Sequence, residues 1–205
     1  MALLRTLSLS LALLLAGGAT LDAATDGFQA FTTESARRLA VRRHPVDVPA
    51  LALQTQSGER IDFAGLRGRW LLIDFIYTRC PSYCRALGSE FAQLQDRLAA
   101  PLAQGRVELL SISFDPVHDT PRELAAYLQR ARSRGAGWRA ARPLDADGLA
   151  RLERSFGLTV IEGAAGEYTH NAALHVVDPQ GRLVEIVDLG QSALATRMVL
   201  QGLAP

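Results

Sequence analysis

One segment, the seven residues from Leu71 to Tyr77, constrains the fold of this chain more than any other. It is apolar throughout except for Asp74. A short, continuous apolar run of this kind predicts a strand that is buried on both faces in the centre of a sheet. Residues 85–102 follow closely and carry apolar side chains at helical spacing. A buried strand followed by an amphipathic helix is typical of a layered α/β fold.

The remaining segments extend this pattern along the chain. They are a hairpin at 51–63, a second buried strand at 107–114, capped helices that begin at Thr120 and at Asp145 or Asp147, an antiparallel hairpin at 174–187 and a closing helix around Leu194. Parallel crossovers come first, and an antiparallel pair closes the sheet. This order predicts an α/β fold with a thioredoxin-like central mixed sheet, flanking helices and an N-terminal β-hairpin. In such sheets, sites form beyond the carboxyl ends of the strands.

The N-terminal segment predicts export. Arg5 is followed by an uncharged apolar run at 7–16 and then by small residues, which is the pattern of a secretory signal peptide. We expect a signal peptide at 1–24, a linker at 25–48 and the thioredoxin-like domain at 49–205, with an uncleaved membrane anchor as the alternative for the first segment. The protein is then periplasmic, either free or held at the inner membrane, and its cysteines face an oxidising compartment.

Composition excludes several classes of function. The chain has 22 basic and 21 acidic residues, a formal net charge of +1 and no lysine. This balance of charge argues against a nucleic-acid-binding protein, which usually carries a basic stripe. The absence of lysine excludes mechanisms that depend on a P-loop lysine or a Schiff-base lysine.

The two cysteines of the chain, Cys80 and Cys84, directly follow the first buried strand. Pro81 favours the first position of a helix, so that Cys80 is expected at the N-cap and Cys84 one turn later on nearly the same face. The positive end of the helix dipole favours the thiolate form of both side chains. Such a pair can close a disulfide, or it can chelate a soft ion such as Cu(I) or a borderline ion such as Zn(II).

The four histidines distinguish between these outcomes. His44 lies in the predicted linker. His118 lies in a loop beyond the second buried strand and His170 directly precedes the third core strand, so both are expected at the sheet edge that carries Cys80. His175 lies within that third strand and is expected to be packed or half-exposed rather than a metal ligand. The topology therefore predicts His170 as the third metal ligand, with His118 in reserve.

Three blocks of sequence, taken together, resemble the SCO/SenC family of copper-binding, thioredoxin-like proteins. The blocks are the cysteine motif at 75–84, the segment at 113–121, and His170 with the sequence Asp-Pro-Gln-Gly at 178–181 after it. The resemblance extends over about residues 49–188. The cysteine spacing together with a correctly placed histidine is its most specific part.

The resemblance implies that Cys80, Cys84 and His170 bind one copper ion, Cu(I) or Cu(II), and that Cys80 and Cys84 form a disulfide when oxidised. It also implies a metallochaperone that assists assembly of the dinuclear copper centre in subunit II of cytochrome c oxidase. Other copper carriers and thiol reductants would be further partners. Thr169 and Asn171 flank His170 where the family often has an acidic residue and a hydroxyl residue, so one weak ligand is missing.

Two other functions stay open. An extracytoplasmic thiol-disulfide oxidoreductase that reduces partner cysteines would depend on Cys80 and Cys84 alone, whereas a copper chaperone would need His170 equally. Thioredoxin-type reductases usually place two residues between the cysteines, and this chain has three. A peroxidase comes third, because peroxiredoxins place threonine three residues before the reactive cysteine and Thr78 lies two before Cys80. Asp119 either supplies a charge near this site or only precedes a capped helix.

Overall fold

The fold is seen in a computed structural model that describes residues 2–80, 83–135, 137–163 and 167–204, with the side chains at positions 2 and 83–86 outside that description. The chain divides into two compact units, residues 1–44 and 45–205.

Within its described residues, the first unit contains two helices, α1 (Ala2–Ala24) and α2 (Thr33–Arg43). By length and composition α1 can cross a membrane, and a signal sequence near an N-terminus meets the same description. Helix α2 begins where the Thr32 side chain accepts a hydrogen bond from the backbone N–H of Ser35, and it ends at His44. The predicted limits of the signal peptide and linker stay predictions.

The second unit holds the layered part of the molecule. In chain order its described elements are β1 (Val46–Asp47), β2 (Ala52–Thr55), β3 (Arg60–Asp62), β4 (Trp70–Ile76), α3 (Tyr83–Arg97), α4 (Ala99–Ala103), β5 (Val107–Ser113), α5 (Pro121–Arg130), β6 (Trp138–Pro143), α6 (Ala146–Phe156), β7 (Val160–Glu162), β8 (Tyr168–His170), β9 (Leu174–Val177), β10 (Arg182–Val187) and α7 (Ser192–Leu203).

Eight of these strands form one mixed sheet in the order β1-β10-β9-β4-β5-β6-β2-β3. Strand β4 pairs in parallel with β5, and β5 pairs in parallel with β6. Strand β9 pairs antiparallel with both β4 and β10. The predicted α/β fold, a thioredoxin-like mixed sheet flanked by helices, is therefore confirmed, and so is the N-terminal hairpin formed by β2 and β3.

Strand β6 is one of the elements that the sequence does not predict. Its segment, Trp-Arg-Ala-Ala-Arg-Pro, has no apolar run. Both of its arginines find polar partners on neighbouring strands: Arg139 pairs with Glu108, and Arg142 donates hydrogen bonds to Gln54. The long arginine side chains can therefore cross the sheet surface while their charged ends stay paired. A strand of this kind leaves no signal in hydrophobic periodicity.

The helix predicted at 85–102 is divided in the structure. Helix α3 ends at Arg97, and the short helix α4 begins at Ala99. Pro101 lies in the first turn of α4, where the N–H that it lacks has no helical partner to lose. In the middle of one continuous helix the same proline would remove a hydrogen bond, which explains the division.

Strand β4 carries a buried carboxyl group. Asp74 is fully buried, and in the described part of the chain neither of its oxygens has a hydrogen-bond partner of good geometry. Burial raises the pKa of Asp74 to about 7, and the nearby Ser111 hydroxyl on β5 offsets this rise only in part.

Candidate metal centre

The site lies along the edge of the sheet that is formed by strand ends, where the central strands β4 and β5 reach their carboxyl ends side by side. Ile76 is opposite Ser113 in the parallel pair, and the backbone N–H of Phe114 donates to the carbonyl oxygen of Ile76 at 3.0 Å. The segments that follow the two strands therefore begin as neighbours. After β4 the chain turns at Tyr77, whose carbonyl oxygen accepts a hydrogen bond from the N–H of Cys80 at 3.2 Å, and Cys80 is half-buried.

Asp119 ties these two segments together. Its Oδ2 accepts hydrogen bonds from the backbone N–H of Thr78 at 2.9 Å and from Ser113 Oγ at 2.6 Å. Its Oδ1 accepts from Thr78 Oγ1 at 2.6 Å. Burial raises the pKa of Asp119, while these hydrogen bonds oppose the rise. Both carboxylate oxygens are engaged, so the residue holds the segment before Cys80 in place.

A second set of contacts joins the residue next to Cys80 to the β5 segment. Arg79 Nη2 donates to Asp115 Oδ2 at 2.7 Å, and His118 Nδ1 lies 2.8 Å from Asp115 Oδ1. Burial works to raise the pKa of Asp115, but the hydrogen bonds with Arg79 and His118 outweigh it and hold that pKa below its usual value. The structure thus places His118 at the expected sheet edge.

His170 lies in different surroundings. Both of its ring nitrogens are buried and have no hydrogen-bond partner within the described residues. Its ring packs against Phe114, with 4.9 Å between the centroids. Burial lowers the pKa of His170, which favours the neutral imidazole. A neutral ring with an unused lone pair in an apolar setting has the chemistry of a metal ligand.

One expectation about His170 needs correction. It does not directly precede the third core strand: it ends β8, which pairs with β7 in a separate two-stranded sheet. Strand β9 of the main sheet begins later, at Leu174. Short strands with exposed positions and no apolar run, such as Val160–Glu162, are difficult to recognise from sequence, which is why this hairpin was not expected.

An aromatic cluster connects β8 to the segment that carries Cys80. The ring of Tyr77 packs against those of Phe114 and Tyr168, with centroid separations of 5.4 and 5.1 Å. The backbone N–H of Tyr168 also donates to the Tyr77 hydroxyl at 3.3 Å. Tyr77 precedes Cys80 by three residues, and Tyr168 precedes His170 by two. The cluster therefore links the two predicted ligand-bearing segments.

Of the other candidates, two histidines lie elsewhere in the structure, and two parts of the cysteine motif lie outside the residues that the structure describes. His175 is buried on β9 between the rings of Phe75 and Phe156, at centroid distances of 5.3 and 5.5 Å, so of the two expected environments, packed or half-exposed, it has the packed one. His44 ends α2 in the first unit. The predicted helix start at Pro81 and the side chain of Cys84 lie outside the described residues.

The described residues contain no cluster of three histidine, cysteine or acidic side chains close enough to hold a metal ion. Two further residues organise this edge and were not predicted from the sequence, Arg79 and Ser113. Both lie inside the sequence blocks that carry the family resemblance, and their polar side chains next to a cysteine and at a strand end were the available signal.

These features define a class: a thioredoxin-like α/β protein with a cysteine-bearing segment at the carboxyl end of its central strand. A family model described as SCO1/SenC matches residues 46–203, which is most of the chain. The chain therefore belongs to the SCO1/SenC family.

Individual relatives agree with this assignment. A Stutzerimonas stutzeri protein named as copper-binding is 31% identical over 140 residues, which cover 66% of this chain and 66% of that protein, just under two thirds of its length. The structure of Bradyrhizobium japonicum ScoI with copper bound is 24% identical, with a TM-score of 0.62 and coverage of 75% of this chain and 99% of that chain. The structure of BsSco, a member of the Sco family of cytochrome c oxidase assembly proteins with a disulfide switch, is 22% identical, with a TM-score of 0.65 and coverage of 78% and 94%. The two structures share the fold of this chain.

Proposed function

We propose that this protein is a copper metallochaperone, which binds one copper ion through Cys80, Cys84 and His170. In this role it assists assembly of the dinuclear copper centre of cytochrome c oxidase. The observation that carries the proposal is His170: its two ring nitrogens are buried and have no hydrogen-bond partner among the described residues, on an aromatic cluster that also contains Tyr77 of the cysteine segment. Burying an unsatisfied polar group costs free energy, and a bound metal ion would recover it.

The donor set suits copper. Two thiolates and one imidazole provide the soft ligands and low coordination that Cu(I) prefers, and Cu(II) accepts the same ligands together with water or an oxygen donor. When bound, the ion would be cargo that the protein loads and releases. A position beyond the end of β4 in the main sheet and at the end of β8 in the separate hairpin would allow ligand exchange without opening the core.

The relatives support copper and oxidase assembly. The Stutzerimonas protein is named for copper binding, ScoI was solved with copper bound, and BsSco is described as an oxidase assembly protein. The family match at 46–203 includes all three proposed ligands. We infer that the copper acceptor is subunit II of the oxidase, and that other copper carriers and thiol reductants are further partners.

Helix α1 supports a location outside the cytoplasm. A segment from Leu3 to Ala24 that is long and apolar enough to cross a membrane suits either a signal peptide or an anchor. We propose that the protein functions in the periplasm, free or attached to the inner membrane by this helix. The oxidase centre that it would serve then lies on the same side of the membrane.

Titration of the reduced protein with Cu(I) and Cu(II) tests the ligand set. The wild-type chain is expected to bind one copper ion and to show a sulfur-to-Cu(II) charge-transfer band. His170→Ala and Cys84→Ser should each disrupt the band and weaken binding, while His44→Gln, a histidine change in the first unit, should leave both unchanged. Unchanged copper binding in His170→Ala would contradict the three-ligand site.

A thiol-disulfide oxidoreductase is the second candidate, and the disulfide switch named for BsSco favours it. In this role Cys80 and Cys84 would form a disulfide when oxidised, and the reduced pair would attack a disulfide of a partner through a thiolate. Reduction of partner disulfides at the wild-type rate by His170→Ala, with no oxidase defect in cells, would favour this function over copper delivery.

A further inference from the structure

His118 is the histidine at this sheet edge that the proposed three-ligand site does not use. It lies in the loop between β5 and α5, and its side chain is 52% exposed, in contrast to the buried ring of His175. Its Nδ1 lies 2.8 Å from Asp115 Oδ1, and Nε2 makes no hydrogen bond to the described residues. The ring is therefore held at one nitrogen and open to solvent around the other.

The partners of Asp115 determine which ring nitrogen carries the proton. Asp115 is buried as a carboxylate, which can only accept hydrogen bonds, and its Oδ2 already accepts from Arg79. Nδ1 of His118 is then the donor to Oδ1, and the 3.1 Å approach of Arg79 Nη2 to the same nitrogen is a contact between two donors, not a hydrogen bond. In the neutral ring this places the lone pair on Nε2. Histidines that bind metals commonly have this arrangement, in which a carboxylate receives the N–H of the other ring nitrogen.

Arg79 places this ring beside the cysteine segment. Its guanidinium Nη2 is 3.1 Å from His118 Nδ1, and Arg79 is the residue that directly precedes Cys80. Asp115 neutralises the positive charge of Arg79 through the 2.7 Å ion pair, which reduces the repulsion that a cation would meet near the ring.

We propose that His118 is an entry ligand for copper: its Nε2 takes the ion from a donor complex and passes it to Cys80. This rests on the proposed copper-chaperone function and adds a second, transient binding position to it. The transfer is a ligand exchange in which copper keeps its oxidation state. Nε2 supplies a lone pair and loses no proton, and a proton displaced from the cysteine sulfur goes to solvent.

The position suits transient binding. One imidazole with a single carboxylate behind it binds weakly, and no third histidine, cysteine or acidic side chain completes a cluster in the described part of the chain. Weak binding on an exposed loop affects how fast copper enters, whereas the final affinity is set by the proposed three-ligand site. The two roles can therefore be separated by measuring rate and equilibrium independently.

Stopped-flow loading of the reduced full chain from copper(II) bis-glycinate measures the rate through the charge-transfer band. His118→Gln is expected to slow loading by about tenfold, the lower end of what removal of a metal-associated group costs, with the same final band and affinity. His44→Gln and Val117→Ala, a change at the exposed neighbour in the same loop, should load at the wild-type rate. Loading of His118→Gln at that rate would overturn the proposal while leaving the chaperone function intact. Absence of any band in the wild-type chain would overturn both.

A second measurement does not depend on loading. Long-range ¹H–¹⁵N spectra should show His118 protonated at Nδ1, and Asp115→Asn should weaken this preference. In a chain that carries Cys80→Ser and Cys84→Ser, substoichiometric Cu(II) should broaden the His118 ring resonances and leave those of His44 sharp. A proton on Nε2 in the wild-type chain, or equal broadening of both rings, would contradict an entry ligand at this position.

Discussion

The two sides of the proposed copper site are built in opposite ways. On the cysteine side, Thr78 and Arg79 are fixed by charge-assisted hydrogen bonds to Asp119 and Asp115. On the histidine side, His170 lies among aromatic rings and its nitrogens have no partner in the described residues. The carboxylates of the polar side already accept hydrogen bonds without a metal ion, whereas the imidazole of the apolar side has no hydrogen-bond partner in the part of the chain that the structure describes. The difference indicates that one side positions the site and the other responds to its occupant.

The largest expected effect is the pH dependence that Asp74 gives to the free energy of unfolding. Asp74 lies on β4, the strand that leads to the cysteine side, but like His170 it is buried without a well-formed hydrogen bond to the described residues. Its pKa is raised from 3.8 to about 7 in the folded protein. The folded state then binds the proton more tightly than the unfolded state, so Asp74 contributes its full stabilisation of the folded state below about pH 4. That contribution, up to about 4 kcal/mol at 1.36 kcal/mol per pKa unit, is lost as the pH rises from about 4 to about 7.

Denaturant unfolding of the wild-type chain and of Asp74→Asn between pH 4 and pH 8 measures this contribution. The difference between their free energies of unfolding isolates Asp74 from the other titrating groups, and it should shift in favour of Asp74→Asn as the pH rises. A difference that stays constant over this range would show that the carboxyl group is not buried as described.

The next largest effect tests the polar side. Asp119→Ala leaves three donors without their acceptor, the N–H and hydroxyl of Thr78 and the hydroxyl of Ser113. We expect it to lower the free energy of unfolding by about 3 kcal/mol. The control is Asp62→Ala, which removes an exposed carboxylate that accepts from the N–H of Gly65 and should cost less than about 1 kcal/mol. Similar losses in the two variants would show that the contacts of Asp119 do not hold the segment.

Replacing the histidine by leucine should change the free energy of unfolding in opposite directions on the two sides. His170→Leu removes two buried nitrogens for which the described residues offer no partner, and it is expected to raise the free energy of unfolding by about 1 kcal/mol while copper binding is lost. His118→Leu removes a hydrogen bond to Asp115 and should lower that free energy by about 1 kcal/mol. Thermal unfolding of the copper-free chains compares them, and a loss of stability in both would remove the contrast.

The smallest effect tests the link between the sides. Tyr77→Phe removes the hydroxyl that accepts from the N–H of Tyr168 but keeps the ring, so the free energy of unfolding should fall by about 1 kcal/mol or less. Amide hydrogen exchange is the sharper measurement, because the Tyr168 amide should exchange faster while the amides of β5 do not change. Unchanged exchange at Tyr168 would mean that the ring contacts alone hold β8.

Elements with a strong local signal could be predicted from the sequence. Strand β4 follows from its apolar run, and α5 follows from the Thr120 cap with Pro121 after it. Helix α6 follows from its N-cap Asp145 and its C-cap Gly157, which has the left-handed conformation. Each signal depends on residues within a few positions of one another, so it does not require knowledge of the fold. The same holds for the cysteine motif, whose spacing is a local property.

Other features depended on partners that are distant in the sequence. Strand β6 is stabilised by the pairing of Arg139 with Glu108, and the role of Asp119 depends on Thr78, 41 residues away. His170 lies on a hairpin that β8 forms with β7, its ring packs against Phe114, and its nitrogens have no partner within the described residues. Hydrophobic periodicity carries no information about such contacts, because they join polar or aromatic side chains across the fold.

The sequence by itself determined the class of fold and the spacing of the two cysteines, because apolar periodicity, capping and motif spacing are local. The helix start at Pro81 and His170 as third ligand stay predictions. Only the tertiary structure decided how the sheet edge is organised: Asp119 and Asp115 are engaged with the cysteine segment, His118 is anchored but exposed, and His170 is buried with no partner in the described residues. The physical reason is desolvation. The cost of burying a polar group, and therefore its need for a partner or a ligand, depends on which chain segments pack around it.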